Sequence, residues 1–455
     1  MNHQQLQARQ QELRAQYQSV RAQKLNLDLT RGKPSTEQLN LSDELDGILA
    51  GNYLCHDNSD SRNYGGIMGI PEARKLAADY LQTTPVRTMV GGNSSLQFMY
   101  QLVTSSLYQG ARGADSSWQK EAAATGGTVK FLCPAPGYDR HFAICEALGI
   151  AMIPVAMNSE GPDMDQVEAL LKADPLIKGI WCVPKYANPD GVVYSDGVVG
   201  RMAQLGKIAG ANFRIMWDNA YAEHHLVDNP PELANIIALS EAAGTLDNVL
   251  VIGSTSKITQ AGAGISFIAT SEANLAAFAE QLGIATIGPD KVNQLRHVKF
   301  LKDMPTLRAL MQRHRAILEP KFKVLLEQLD QGLKGKTING KSLGDWTTPQ
   351  GGYFVLFNTQ PGLADKVVKL TAGAGVKLTP AGSTYPYRID PANTNIRLAP
   401  SFPSLKEIDA AMGVFLRFFE PRRSLFFRDE RGEGGKNKVG PKKLELLGCP
   451  YVSDR

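Results

Sequence analysis

The sequence predicts an α/β protein with a large, mostly parallel sheet followed by a smaller α+β unit, and three observations carry the prediction. Over residues 53–288, short and nearly continuous apolar runs alternate with helical stretches. Strands of a parallel sheet covered on both faces have this pattern. After Asp290 the alternation gives way to a long helical segment and then to separated strand-like runs. Finally, 455 residues are more than one ordinary core organises and too few for three domains.

The elements follow in order. Residues 3–23 are rich in Gln, Arg and Ala and lack Gly and Pro, which predicts one exposed helix. Pro34 and the polar S-T-E-Q end the next segment. The strands of the large unit are VKFLCP (129–134), AMIPVAM (151–157), IKGIWCVP (177–184), FRIMWD (213–218), VLVIGST (249–255) and GISFIAT (264–270). Helical stretches such as DRHFAICEALG and MDQVEALLKAD separate them. The segment from Val292 to Leu333 is helical, with interruptions expected at Pro305 and Pro320. GGYFVLF (351–357), GVKLTP (375–380) and TNIRLAP (394–400) supply the strands of the smaller unit. These readings divide the chain into an N-terminal helix and joining segment (1–48), a large domain (49–295), a small domain (296–420) and a basic tail (421–455).

Composition excludes several classes. Hydrophobic residues make up 43% and charged ones 21%, ordinary for a globular protein. The polar N-terminus has no apolar signal region and no apolar run is long enough to span a bilayer, so a cytoplasmic location without membrane attachment is expected. The five cysteines are scattered with no C-x-x-C pair, and His224 and His225 are adjacent rather than four apart. Neither a disulfide framework nor a metal site is indicated. Nine basic residues oppose five acidic ones from Pro421 onward, and that surplus equals the whole net charge of +4. A Gly-rich tail with an otherwise balanced body points to a solvated terminus rather than to a nucleic-acid surface.

The chemistry gathers at strand ends. VLVIGST runs into Ser256 and Lys257 and then into T-Q-A-G-A-G, which places Lys257 at the rim of the sheet, where α/β proteins bind ligands. Alone, such a lysine is an ordinary surface lysine before a loop. W-D-N-A-Y (217–221) puts Asp218 at another strand end with Tyr221 three residues on, and V-P-K-Y-A-N-P-D-G (183–191) ends a third strand at Asn188. Asn-Pro-Asp-Gly is also plain turn chemistry, and an Asp at a strand end often caps a helix. The order matters more: all four residues follow sheet strands and therefore face one crevice.

N-P-x-G, D-x-A-Y and S-x-S-K in this order resemble the fold-type I pyridoxal-5′-phosphate (PLP) enzymes of the aspartate aminotransferase family, in particular a divergent subgroup of it. The likeness runs from Leu-Thr-Arg-Gly-Lys-Pro near the N-terminus to about Pro403. It implies a mostly parallel seven-stranded sheet in the large domain, PLP as cofactor and an obligate homodimer. Lys257 would hold the cofactor as a Schiff base and shuttle the proton. Asp218 would keep the pyridine nitrogen protonated, and Asn188 and Tyr221 would hydrogen-bond the phenolic oxygen. Tyr138, in C-P-A-P-G-Y-D-R, would lie on the ring. Gly92, Asn93, Ser94 and Ser95 open a helix whose N–H groups would hold the phosphate, with Ser254 and Ser256 adding hydroxyls. Tyr64, in R-N-Y-G-G, would reach the phosphate of the neighbouring subunit. Arg397, in N-I-R-L-A-P-S, would bind the substrate α-carboxylate bidentately, and Gly32 would let the N-terminal segment close. The resemblance also implies a cis Asn188–Pro189 peptide.

Two features depart from the family pattern. The arginine expected eight residues after the lysine is Ile265, and no aligned arginine reads the distal carboxylate of a dicarboxylic substrate. Lys291 and Arg296 after the lysine and Arg31 and Lys33 in the N-terminal segment are the cations on offer; Arg31 and Lys291 are favoured, since Arg296 sits at the start of a long helix, a place for capping or pairing. The function expected is transamination between aspartate or glutamate and a 2-oxo acid such as 2-oxoglutarate. A carbon–sulfur β-lyase on the same scaffold and a non-catalytic PLP-binding homologue are the alternatives; a regulator would need a DNA-binding module, for which the roughly 25 residues ahead of the first matching segment leave no room.

Overall fold

The computed structural model describes residues 3–111, 113–338 and 340–419; the tail and Cys449 lie outside the described residues. The expected first helix is α1 (His3–Ala22), followed by β1 (Leu27–Leu29). Eight further strands build the large sheet: β2 (Thr88–Val90), β3 (Lys130–Ala135), β4 (Ala151–Asn158), β5 (Gly161–Pro162), β6 (Ile177–Cys182), β7 (Arg214–Asp218), β8 (Val249–Ser254) and β9 (Ser266–Ala269). Their order across the sheet is β2-β9-β8-β7-β6-β3-β4-β5. The pairs from β4 through β3, β6 and β7 to β8 are parallel, and β9 closes antiparallel between β8 and β2.

The sheet therefore has eight strands rather than the expected seven. The extra one is the two-residue β5, where the chain folds back on β4 through Asn158 and Gly161 before its next helix. Strand-scale apolar patterning carries no signal for so short an edge.

Both faces of the sheet are buried, as the continuous apolar runs require. Ile215, Trp217 and Val251 pack on one face with Leu132 and Ile180, while Met216, Ile252, Phe131 and Trp181 pack on the other. The second face is covered by α2 (Ser95–Tyr108), through Phe98, Met99 and Leu102, and by α3 (Asp139–Ala147), through Phe142 and Ile144. The four described cysteines, Cys55, Cys133, Cys145 and Cys182, are free and buried.

The helical segment after Asp290 divides into α4 (Lys291–Leu301) and α5 (Met304–Leu333). Pro305 sits in the first turn of α5, where a missing N–H costs nothing. The second expected interruption is absent: α5 runs unbroken through Pro320. A mid-helix proline costs about 3 kcal/mol, whereas Leu318, Phe322, Leu325 and Leu329 around it are all buried in the small core. At about 1.5–3 kcal/mol for each such side chain, their burial outweighs the lost bond. Leu307, Leu310 and Met311 pack on the large-sheet core, so α5 spans both cores.

The smaller unit holds β10 (Gly344–Trp346), β11 (Val355–Thr359), β12 (Val376–Leu378) and β13 (Asn395–Leu398), with α6 (Leu405–Leu416) packed on α5. β10, β11 and β13 form an antiparallel sheet, and β12 pairs in parallel with β1, tying the N-terminus to this unit. β11 begins at Val355 and not at Gly351 as expected. Gly352 holds φ +80°, and a Cβ on Gly351 would lie 2.3 Å from the Tyr186 ring, so this glycine pair makes a close crossing instead of a strand. Among the described residues no helix is long and apolar enough to cross a membrane.

Candidate active site

Asn188, Asp218, Tyr221 and Lys257 stand at or after the ends of large-sheet strands, and Arg397 lies within a strand of the smaller unit. Side chains alternate along β7, so Asp218 leaves the same face as Met216 and is 4% exposed. Its Oδ2 accepts a hydrogen bond from His141 Nε2 at 3.1 Å. Its Oδ1 is equally buried and meets no protein donor. His141, at the start of α3, lies flat on the Trp181 indole (centroids 4.4 Å apart, 9° between planes) with the Tyr138 ring edge-on at 4.9 Å. A buried carboxylate with one lone pair of acceptor sites idle is aimed at a donor from outside the chain.

Lys257 follows β8 by three residues and its Nζ lies 4.7 Å from the centroid of the buried Tyr221 ring. Burial, reinforced by the Asp218 charge, pushes the Tyr221 hydroxyl well above the ordinary phenol range, so it stays a donor. Tyr138 is likewise pushed up by burial to about 12. His224, one turn beyond Tyr221, donates from Nε2 to the Lys257 carbonyl at 3.3 Å. Burial and the Lys257 charge push His224 down to about 3, leaving it neutral.

Asn188 closes the loop after β6, and its peptide with Pro189 is cis, as the resemblance implied. Its Oδ1 accepts from Arg397 Nη1 at 3.2 Å. Arg397, on β13, is 7% exposed and is further held by Asp139 Oδ1 (3.3 Å), Thr379 Oγ1 (3.3 Å) and the Thr30 carbonyl (3.4 Å). Its guanidinium lies over the Phe354 ring at 4.9 Å. The same ring explains Gly32: a Cβ there would stand 2.4 Å from Phe354 Cζ. Arg31, Gly32, Tyr138, Asn188, Tyr221, Lys257 and Arg397 all line one cleft of about 660 Å³.

Gly92, Asn93, Ser94 and Ser95 lead from β2 into α2. The Ser94 side chain does not cap the helix, so the first N–H groups of α2 stay free of it. Ser256 Oγ donates to the Asn93 carbonyl at 3.2 Å and Ser254 Oγ to Ser256 Oγ at 3.1 Å, which sets both hydroxyls beside the loop. Free N–H groups at a 14-residue helix start, with hydroxyls at their side, form an anion cradle. Ile265 adds no cation, since its side chain is 1% exposed in the core and its N–H donates to Thr255 Oγ1.

Two expected residues stand elsewhere. Tyr64 is 83% exposed and does not line the cleft of its own chain. Lys291 Nζ donates to the Tyr64 carbonyl at 3.2 Å, so it props that exposed loop from beneath. Arg296 has its own partner, the Leu45 carbonyl at 3.0 Å. His141, His224, Asp139 and Thr379 were not anticipated. A helical-turn spacing links His141 to Tyr138 and His224 to Tyr221, a local signal available in the sequence; Thr379 and Asp139 meet Arg397 only through the tertiary fold.

Residues 1–417 match the family model described as aspartate amino-transferase. The chain is 48% identical over 394 residues to a putative aminotransferase of Mycolicibacterium smegmatis, covering 86% of this chain and 90% of that one. It is 45% identical over 389 residues to an aspartate aminotransferase of Corynebacterium glutamicum, covering 85% and 87%. The crystal structure of an aspartate transaminase from C. glutamicum superposes with a TM-score of 0.85 at 42% identity, covering 93% of this chain and 97% of that one.

Proposed function

The chain belongs to the aspartate aminotransferase family and is an aminotransferase, and from that premise we propose that it uses PLP on Lys257 to move an amino group from aspartate or glutamate to a 2-oxo acid such as 2-oxoglutarate. The observation that carries this reading is the idle, buried Oδ1 of Asp218 beneath the cleft that holds Lys257 and Arg397. That oxygen suits a protonated ring nitrogen, and the cradle at 92–95 suits a phosphate. Bound there, the cofactor supplies the electron sink that stabilises a carbanion at the substrate Cα.

The chain's own residues do the rest. Once the substrate amine has released it from the cofactor, Lys257 Nζ would take the proton from Cα and hand it to the cofactor's C4′. Asp218 keeps the ring nitrogen protonated, and His141, pinned against Trp181, fixes its direction. Tyr221 and Asn188 donate to the phenolic oxygen. Arg397 offers its planar fork to the α-carboxylate, which displaces or shares the hold of Asp139 on Nη1. Gly32 lets residues 30–33 approach Phe354 closely enough to shut out water. Ser254, Ser256 and the start of α2 hold the phosphate without an arginine at position 265. The exposure of Tyr64 supports a homodimer in which this tyrosine completes the neighbouring site.

The deciding experiment is a visible spectrum of the purified protein before and after glutamate. The proposal expects a yellow protein that bleaches on glutamate with release of stoichiometric 2-oxoglutarate, and recovers its colour with oxaloacetate. Colour without bleaching would leave a binder, and turnover of a cysteine conjugate without any oxo acid would leave a β-lyase.

A dicarboxylic substrate needs a cation for its distal carboxylate, because burying that group unpaired is costly. Arg31 lines the cleft and is exposed, whereas Lys291 is occupied at the Tyr64 loop. Arg31→Gln is expected to lower kcat/KM for aspartate about 30-fold, about 2 kcal/mol, while changing that for alanine less than about threefold. Equal losses for both amino acids would remove Arg31 as the reader.

A further inference from the structure

On the opposite face of the Asp218 strand end lies a second cavity of about 680 Å³, as large as the catalytic cleft and sharing no lining residue with it. Trp217 and Val251 of the sheet form its floor, and the turn from Ala222 to His225, the end of the helix carrying Tyr80, and α5 at Arg308 form its walls. Two polar groups in this lining have no partner in the protein, and a third, Lys185, meets only the Tyr186 ring, 5.7 Å from its Nζ. The Tyr80 side chain is 4% exposed and its hydroxyl meets no donor or acceptor. Asn219 Oδ1 is buried and accepts nothing. Among the described residues no carboxylate stands within salt-bridge distance of the half-buried Lys185 ammonium.

Each group states what it lacks. An ammonium calls for an anion, an amide oxygen calls for an N–H or O–H donor, and a phenol serves either. Of the carboxylates in the lining, Arg308 holds Glu223 through three contacts of 3.2–3.3 Å with His225 3.6 Å from the same group, Arg315 holds Asp228 at 2.6 Å, and Glu232 is exposed to solvent. A single inorganic anion would satisfy Lys185 and leave Asn219 unpaired, whereas an apolar ligand would satisfy neither. The matching chemistry is amphoteric, one carboxylate and one amino group on a small skeleton, and the volume lies within the range of small-molecule sites. The Tyr80 side chain, more than nine-tenths buried with its hydroxyl unpaired, and the unpaired Asn219 oxygen both belong to the lining of this cavity.

We propose that this cavity is a second, non-catalytic site for a free α-amino acid, whose carboxylate is met by Lys185 and Tyr80 and whose amino group is met by Asn219. Its occupancy does not depend on the identity of the transamination substrates.

The test uses the holoenzyme carrying Arg397→Ala and reduced with borohydride, so that the catalytic cleft neither turns over nor holds a carboxylate. Calorimetric titration with L-glutamate, and separately with L-alanine, is expected to show one saturable site per chain with at least one of them, accompanied by a rise in Tm. Adding Tyr80→Phe or Lys185→Met is expected to weaken that binding tenfold or more. Tyr80→Phe alone is expected to melt no lower than its parent, because it deletes an unpaired buried hydroxyl; this separates a lost ligand from a damaged fold. Absence of binding by both amino acids, or binding undiminished by both substitutions, overturns the site.

Discussion

Lys257→Ala is expected to abolish transamination, with a loss of at least about 10⁴-fold in kcat, the upper range for a positioned proton-transfer group, or about 5.5 kcal/mol of barrier. The size follows from where Nζ stands. Among the described residues it makes no hydrogen bond or ion pair that holds the fold, only the contact with the Tyr221 ring at 4.7 Å. The backbone around it is fixed independently, by His224 on the Lys257 carbonyl and by the turn from Thr255 to Ile258 and Thr259. Removing the side chain therefore removes the reactive amine and leaves its scaffold, and Tm is expected to change by no more than a few degrees. Borohydride reduction of the parent followed by peptide mapping checks the assignment directly. A pyridoxyl label on Lys257 agrees with it; a label on any other lysine, or residual turnover within about 100-fold of the parent, a change of only ~2.7 kcal/mol, removes Lys257 from its role.

What the sequence made legible was the part of the site that strand ends position. Asn188, Asp218, Tyr221 and Lys257 each follow a buried apolar strand, and sheet topology brings such ends together whatever the loops do. The parts it did not show depend on contacts between distant segments. Nothing in L-T-P foretells that Thr379 meets Arg397, or that Asp139, at the head of α3, shares Arg397 with Asn188. The unbroken course of α5 through Pro320 is of the same kind, since the helix is decided by the four buried side chains around the proline and not by the proline itself. Ile265 illustrates the converse. The motif showed that a cation was missing, but only the fold shows that the side chain at this position has turned into the core, so a phosphate held at 92–95, as proposed, would be met by N–H groups and hydroxyls.

Asp218→Asn is expected to retain bound PLP and to lose about 10³-fold or more in kcat, about 4 kcal/mol. The amide keeps the shape of the carboxylate and still offers one oxygen, yet it carries no charge to hold a proton on the ring nitrogen, and the electron sink weakens accordingly. Retention is expected because the other anchors proposed for the cofactor, Lys257, the start of α2 and the Ser254 and Ser256 hydroxyls, are untouched. Alanine is the harsher change. It also strands His141 Nε2 without its 3.1 Å acceptor, inside a stack that gives the ring no room to turn toward another. Loss of a buried hydrogen-bond partner costs about 1–3 kcal/mol, so Asp218→Ala is expected to lower Tm as well as kcat, and Asp218→Asn chiefly kcat. The paired measurement separates the two roles of the carboxylate. If it only braced His141, Asn would restore most of the activity that Ala loses. Activity of the Asn variant within about tenfold of the parent, ~1.4 kcal/mol, would therefore transfer the role of Asp218 from holding a proton on the cofactor to holding a histidine in the wall.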